Sequence, residues 1–106
     1  MRTFDTGATR DDDSNKPDYA GFLSPRVLIA YGEYMTKHQL QADGTRRSSR
    51  NWQKGIPTDA YVSSMFRHFV AVWDRHEAGQ DALPVQRENL CALLFNVMGM
   101  LHEITR

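Results

Sequence analysis

Three things are scarce in this chain of 106 residues, and each scarcity excludes a class of protein. Cys91 is the only cysteine, so no internal disulfide can form, and the chain suits a reducing cytoplasm. No apolar run approaches the roughly 18–20 residues that cross a bilayer, and the first residues lack the apolar stretch of a signal peptide. The net charge is zero, so bulk attraction favours neither polymeric nucleic acid nor a membrane as a partner.

The longest apolar segment, residues 90–101, is apolar around nearly its whole circumference if it is helical. A helix that is apolar on all sides must be buried on all sides. A domain of 106 residues with two other modest helices does not surround such a helix by itself. We therefore predict a homodimer or homotetramer. Asn96 lies in the middle of the segment and must find a hydrogen-bond partner in that core.

Apolar residues follow helical spacing in three stretches of the chain. Ser24 and Pro25 are typical of an N-cap and a first helical position, and a second helix is expected directly after Pro57. Gly79 is placed where a glycine commonly ends a helix. The three predicted helices span about residues 24–40, 58–78 and 85–104.

No segment shows the alternation that predicts a β-strand, so the predicted fold is all-α. Residues 1–106 are interpreted as one small helical domain that begins with a polar N-terminal arm, residues 1–19. That arm is either a disordered leader or a segment that folds over a ligand or a neighbouring subunit.

The polar loop of residues 42–58 is long for so small a domain, which is typical of a functional or a disordered segment. Trp52 can stack on a base, Lys54 can meet a phosphate, and Asn51 can hydrogen-bond the base. Alternatively, Trp52 closes the top of the helical core. Three arginines add positive charge to the loop but are too few for a nucleic-acid surface: Arg46, Arg47 and Arg50.

A group of acidic residues flanks the predicted turn between the second and third helices. Asp74 and Glu77 are three residues apart and share a helix face, and Glu88 lies early in the next helix. Three carboxylates that converge there would bind Mg²⁺, which neutralises phosphate charge and activates water. The alternative is that all three are ordinary solvated charges near helix ends.

The pair Arg67-His68 falls in the middle of the second predicted helix. His68 lies near the apolar face, where a lone histidine is usually a hydrogen-bonded core or interface residue. The alternative is a nucleotide contact, with Arg67 on phosphate. Asn96 has the same two interpretations, since its amide can contact the base or brace the core.

Several motifs together resemble one known family. They are Asn-Trp-Gln-Lys-Gly-Ile-Pro at residues 51–57, Phe-Arg-His-Phe at 66–69, Leu-Cys-Ala-Leu-Leu-Phe-Asn at 90–96 and Gly-Met-Leu-His-Glu at 99–103. The chain resembles the dATP/dGTP diphosphohydrolase N-terminal-domain family, which is common in bacteriophages. Those proteins are similar to the MazG-like, all-α nucleoside triphosphate pyrophosphohydrolases.

The resemblance implies a helical homo-oligomer in the cytoplasm of an infected bacterium. It implies Mg²⁺-dependent cleavage of a purine deoxynucleoside triphosphate to monophosphate and pyrophosphate, with Glu77 and Glu88 catalytic. In the wider group a Glu-x-x-Glu pair and a Glu-x-x-Asp pair hold the metal. The nearest matches here are Asp74-x-x-Glu77 and Glu88-x-x-Cys91, in which Cys91 replaces the aspartate.

The altered second pair leaves two alternatives to the enzyme. A chain that keeps the nucleotide pocket but loses a metal ligand would bind and sequester a nucleotide without cleaving it. A chain that uses its apolar helix only to assemble would be a structural or interaction module.

Overall fold

The computed structural model describes all 106 residues, and most of them are helical. The all-α prediction is confirmed apart from one very short pair of strands near the N-terminus. The elements in chain order are β1 (Arg2–Thr3), β2 (Thr9–Arg10), α1 (Tyr19–Phe22), α2 (Pro25–Lys37), a 3₁₀ turn (Asn51–Lys54), α3 (Thr58–Glu77) and α4 (Pro84–Thr105).

The helix ends follow the local chemistry of the sequence. At the start of α2 the Ser24 hydroxyl accepts a hydrogen bond from the Val27 amide at 3.3 Å, and Pro25 takes the first helical position. At the end of α3 Gly79 adopts a positive φ of 72°. The amides of Gly79 and Gln80 then donate to carbonyls of the last turn, which completes a Schellman motif.

The main contact of the fold lies between α3 and α4. Tyr61 of α3 is the largest fully buried side chain, and its ring lies directly over Gly99 of α4. Gln86 is also buried and donates to the Val72 carbonyl at 2.9 Å, which ties the start of α4 to α3. Because Gly99 has no side chain, the two helices approach closely at this point.

Helix α2 packs mainly against α4. Lys37 donates to Glu88 at 2.6 Å, and Arg87 donates to Glu33 at 3.3 Å. Beneath these exposed ion pairs Cys91 is buried, and that burial raises the pKa of its thiol. Cys91 is thus a small core residue of the α2–α4 contact.

Two expectations for the N-terminal part of the chain are corrected. The first predicted helix extends to residue 40, but α2 ends at Lys37, because the chain then turns into a short bridge between Leu40 and Arg46. The absence of strands is also wrong, since β1 and β2 pair antiparallel around a turn at Gly7, where φ is 89°. The pairing depends on a few backbone hydrogen bonds and leaves no trace in hydrophobic periodicity.

A single copy of the chain is open rather than compact. Its radius of gyration is 18.8 Å, against about 13 Å for a compact domain of this length. Only 6 of the 106 residues are buried, so α4 is not enclosed on all sides within one copy. No helix is both long enough and apolar enough to cross a membrane.

Candidate functional site

A concave site lined by polar and aromatic side chains lies between the end of α2 and the 3₁₀ turn. It is a cavity of about 310 Å³, near the lower end of the range for small-molecule sites. Polar side chains reach it from three segments, and Phe95 of α4 contributes to its apolar part. The lining residues that bear on function are Tyr34, His38, Arg47, Ser48, Asn51 and Trp52.

A small hairpin after α2 carries the basic side of this cavity. The Arg47 amide donates to the Gln39 carbonyl at 2.7 Å, and the Gln39 side chain donates back to the Arg47 carbonyl at 3.1 Å. At the tip, the Asp43 carboxylate accepts from both the amide and the hydroxyl of Thr45, and these bonds lower the pKa of Asp43. Arg47 is therefore placed at the cavity by regular local hydrogen bonding.

The 3₁₀ turn supplies the aromatic side of the cavity and rests on the last turns of α4. The Trp52 ring contacts His102 edge-on, with ring centroids 4.7 Å apart. Three residues later the Ile56 amide donates to the Glu103 carboxylate at 3.4 Å. Trp52 is half-buried, so it both closes the top of the helical core and lines the cavity.

The charge of the lining favours an anion. None of its twelve residues is acidic, while Arg47 and His38 supply a cation and an imidazole. Burial raises the pKa of the Tyr34 hydroxyl. A tyrosine hydroxyl is in any case protonated at neutral pH, so Tyr34 can donate a hydrogen bond. The Tyr34 and His38 rings lie 4.2 Å apart at the end of α2, so they form one surface.

No family model, no curated protein and no solved structure matches this chain. The proposed function therefore depends on the chemistry of the residues that line the cavity.

The predicted nucleotide-binding residues are divided between the cavity and the helices. Asn51 and Trp52 line the cavity, whereas Lys54 lies at the exposed end of the 3₁₀ turn, outside the lining. The other three predicted residues lie on α3 and α4, also outside the lining: Arg67, His68 and Asn96.

The contacts of these helical residues are local. Arg67 is exposed and donates to the Ser63 hydroxyl one turn earlier at 2.9 Å. Asn96 is buried, and its amide donates to the Ala92 carbonyl at 2.8 Å. The contact of Asn96 fits the interpretation as a bracing group, since its amide nitrogen already has a partner within α4.

The predicted metal cluster is not assembled within the chain. No three histidine, cysteine, aspartate or glutamate side chains are close enough to hold a metal ion, so the expected convergence of Asp74, Glu77 and Glu88 is corrected. Glu88 is turned toward α2 by its bond to Lys37, which lowers the pKa of Glu88. Glu77 instead accepts from the Trp73 indole at 3.2 Å on its own helix. The Mg²⁺ requirement stays a prediction. The positions of these three carboxylates within one chain do not fit a shared metal site.

Two residues of the cavity, Tyr34 and Arg47, are not predicted as site residues from the sequence. Tyr34 falls inside the first predicted helix with no functional role assigned to it, and Arg47 is predicted only as one of three positive charges in the loop. The Tyr34–His38 pair, four residues apart at a helix end, was the available signal for a common surface. Nothing in the periodicity of the chain indicates that the hairpin after α2 brings Arg47 to the same place.

Proposed function

We propose that this chain binds a nucleotide in the cavity between the end of α2 and the 3₁₀ turn. The observation that carries the proposal is the composition of the lining, which combines Arg47, hydroxyl groups and aromatic rings without a single carboxylate. A nucleotide needs both halves of this set, because its phosphates require cationic and hydroxyl donors and its base requires a flat apolar face.

In this proposal one part of the lining contacts the phosphates and the other part contacts the base. Arg47 and the adjacent hydroxyls of Ser48 and Ser49 form the phosphate end. Trp52 forms the base end, and Asn51 beside it offers amide donors and an acceptor for the edge of the base. The resemblance to the dATP/dGTP diphosphohydrolase N-terminal-domain family makes purine deoxynucleoside triphosphates the first ligands to test.

Binding without cleavage is the form of this function that the geometry supports best. Pyrophosphate cleavage in MazG-like proteins requires carboxylates that hold Mg²⁺, and here Glu88 is paired with Lys37 while Glu77 accepts from Trp73. We therefore favour a protein that sequesters its nucleotide. Pyrophosphohydrolysis with Glu77 and Glu88 as catalytic residues stays an untested prediction of the resemblance.

Calorimetry with dATP, dGTP, dCTP and dTTP tests the binding proposal. We expect saturable, stoichiometric binding of at least one purine nucleotide, with little dependence on Mg²⁺. Arg47→Gln should weaken that binding about tenfold or more, because it removes a charged donor from the phosphate end. Arg46→Gln is the matched control, since Arg46 is the neighbouring arginine and does not line the cavity. No binding of any of the four nucleotides would refute the proposal.

A product assay separates a binder from an enzyme. The protein is incubated with the bound nucleotide and Mg²⁺, and monophosphate and pyrophosphate are measured. We expect no product above the protein-free control. Turnover that disappears in Glu88→Gln would establish the hydrolase instead, and turnover that survives this substitution would exclude Glu88 as catalytic.

A further inference from the structure

Glu103 is the most deeply buried carboxylate among the ion pairs of this chain, and it lies where the end of α4 meets the segment after the 3₁₀ turn. Its side chain is 10 % exposed, whereas the carboxylates of the other four ion pairs are 49–70 % exposed. Burying a charged group costs free energy unless hydrogen bonds and an opposite charge compensate for it. The partners of Glu103 therefore indicate what its position stabilises.

The two carboxylate oxygens of Glu103 contact two different segments. Oε1 accepts a hydrogen bond from the Ile56 amide at 3.4 Å, and Oε2 pairs with the Arg106 guanidinium at 2.9 Å. Burial and then the charge of Glu103 raise the pKa of Tyr61, yet the buried Tyr61 hydroxyl has no hydrogen-bond partner. The Glu103 carboxylate is thus directed at the segment after the 3₁₀ turn and not at the Tyr61 hydroxyl.

The backbone before Ile56 brings its amide to Glu103. Gly55 has a positive φ of 107°, which side chains rarely allow, and its amide donates to the Trp52 carbonyl at 3.2 Å. A Cβ atom on Gly55 would lie 3.7 Å from the Arg106 guanidinium, so the Glu103–Arg106 pair lies directly against this glycine. Residues 52–56 therefore contact the end of α4 as one unit.

The same unit forms the aromatic wall of the cavity. Trp52 and Ile56 both line the cavity, and the Trp52 ring lies edge-on against His102, the residue before Glu103. No residue between 42 and 57 is fully buried. A segment with few buried contacts opens easily, so an anchor at its end decides how firmly the Trp52 ring is held.

We propose that Glu103 is a positioning residue for the base end of the cavity, which holds residues 52–56 against α4 and fixes the Trp52 ring before a nucleotide arrives. This inference rests on the nucleotide site proposed above. A stacking surface that is already ordered binds more tightly, because less ordering free energy is lost on binding. Glu103 does not line the cavity, so it acts through Ile56 and Trp52.

The first test measures the backbone mobility of residues 52–56 without nucleotide. Nitrogen-15 relaxation should give order parameters of about 0.85 for the parent chain and below about 0.6 for Glu103→Ala, which cannot accept from the Ile56 amide. Glu103→Gln keeps an oxygen for that amide and should stay close to the parent. Glu33→Ala is the matched control, because Glu33 is an ion-paired glutamate of α2 outside the cavity. Circular dichroism checks that each variant is helical.

The second test measures the affinity of the same proteins for a purine deoxynucleoside triphosphate by calorimetry. Glu103→Ala should weaken binding about tenfold, because a mobile Trp52 ring loses much of its stacking on the base. Glu103→Gln should weaken it no more than about threefold, since the hydrogen bond to Ile56 is kept. Glu33→Ala should leave the affinity unchanged.

Three outcomes would overturn the proposal. They are unchanged order parameters in Glu103→Ala, parental nucleotide affinity in Glu103→Ala, and an equal loss of affinity in Glu103→Ala and Glu103→Gln. A parent chain that binds no nucleotide would instead refute the proposed function. The order parameters, which are measured without nucleotide, would then still decide whether Glu103 fixes residues 52–56.

Discussion

The α3–α4 pair and the segment of residues 38–57 are held in place by different means. The pair is held by close side-chain packing, because the Tyr61 ring fills the space that Gly99 leaves open. In the segment, no residue is fully buried, and local hydrogen bonds such as those between Gln39 and Arg47 define the chain path. This protein therefore keeps its tightest packing apart from the polar cavity lining that we propose binds a nucleotide. Trp52 and Ile56 connect the segment to α4, through His102 and Glu103.

The largest effect on stability is expected at the close contact between Gly99 and Tyr61. A methyl group on Gly99 would overlap the Tyr61 ring, so Gly99→Ala should lower the free energy of unfolding by about 1–3 kcal/mol. Gly32→Ala is the control, because its methyl group would meet nothing and the helix gains about 0.5–1 kcal/mol. Denaturant titration measures both. Equal effects of the two substitutions would contradict the packing described for Tyr61.

Trp52 is where the two regions meet, so its replacement should affect both. Trp52→Leu should cost about 1–2 kcal/mol of stability, since it removes a half-buried ring from His102. The same variant should weaken nucleotide binding about tenfold, because the base loses its stacking surface. Trp73→Leu is the control, since Trp73 is 57 % exposed on α3 and lies outside the cavity. Unchanged binding in Trp52→Leu would separate the base site from this cavity.

A substitution of Asn96 tests whether the α3–α4 pair also contacts the nucleotide. Its amide bonds to Ala92 within α4, so Asn96→Leu should change the unfolding free energy by no more than about 1 kcal/mol. Nucleotide affinity by calorimetry should be unchanged. A loss of binding with an intact fold would show that Asn96 contacts the nucleotide, and the cavity assignment would then be wrong.

The smallest effect is expected at the turn between α3 and α4. The bond between His76 and Asp81, 2.8 Å long, raises the pKa of His76 and lowers the pKa of Asp81. The raised pKa stabilises the fold below about pH 6.5 and is lost as the pH rises through the folded value. The lowered pKa stabilises it above about pH 4 and is lost on acidification. His76→Ala should therefore lower the melting temperature slightly at pH 5.5 and not at pH 9. An equal decrease at both pH values would contradict this linkage.

The sequence predicted what depends on local signals. Ser24 with Pro25 located the start of α2, Pro57 located the start of α3, and Gly79 located its end, because caps act within a single turn. The all-α class followed from the helical spacing of apolar residues.

The sequence did not predict what depends on how separate segments meet. The spacing of Asp74 and Glu77 indicates that they share a helix face, but it does not predict which residue the Glu88 side chain contacts. That choice is made by Lys37, which is 51 residues earlier in the chain and reaches Glu88 only because α2 packs on α4. The cavity has the same origin, since Arg47 and Trp52 become neighbours of Tyr34 through the hairpin after α2.

The exposed aliphatic side chains of α4 would make the stability of this protein depend on its concentration if copies of the chain associate, as the sequence predicts. When folding is completed by association, the melting temperature rises with protein concentration, since mass action favours the associated form. A newly synthesised molecule without a partner copy would then expose this apolar surface to proteases and chaperones.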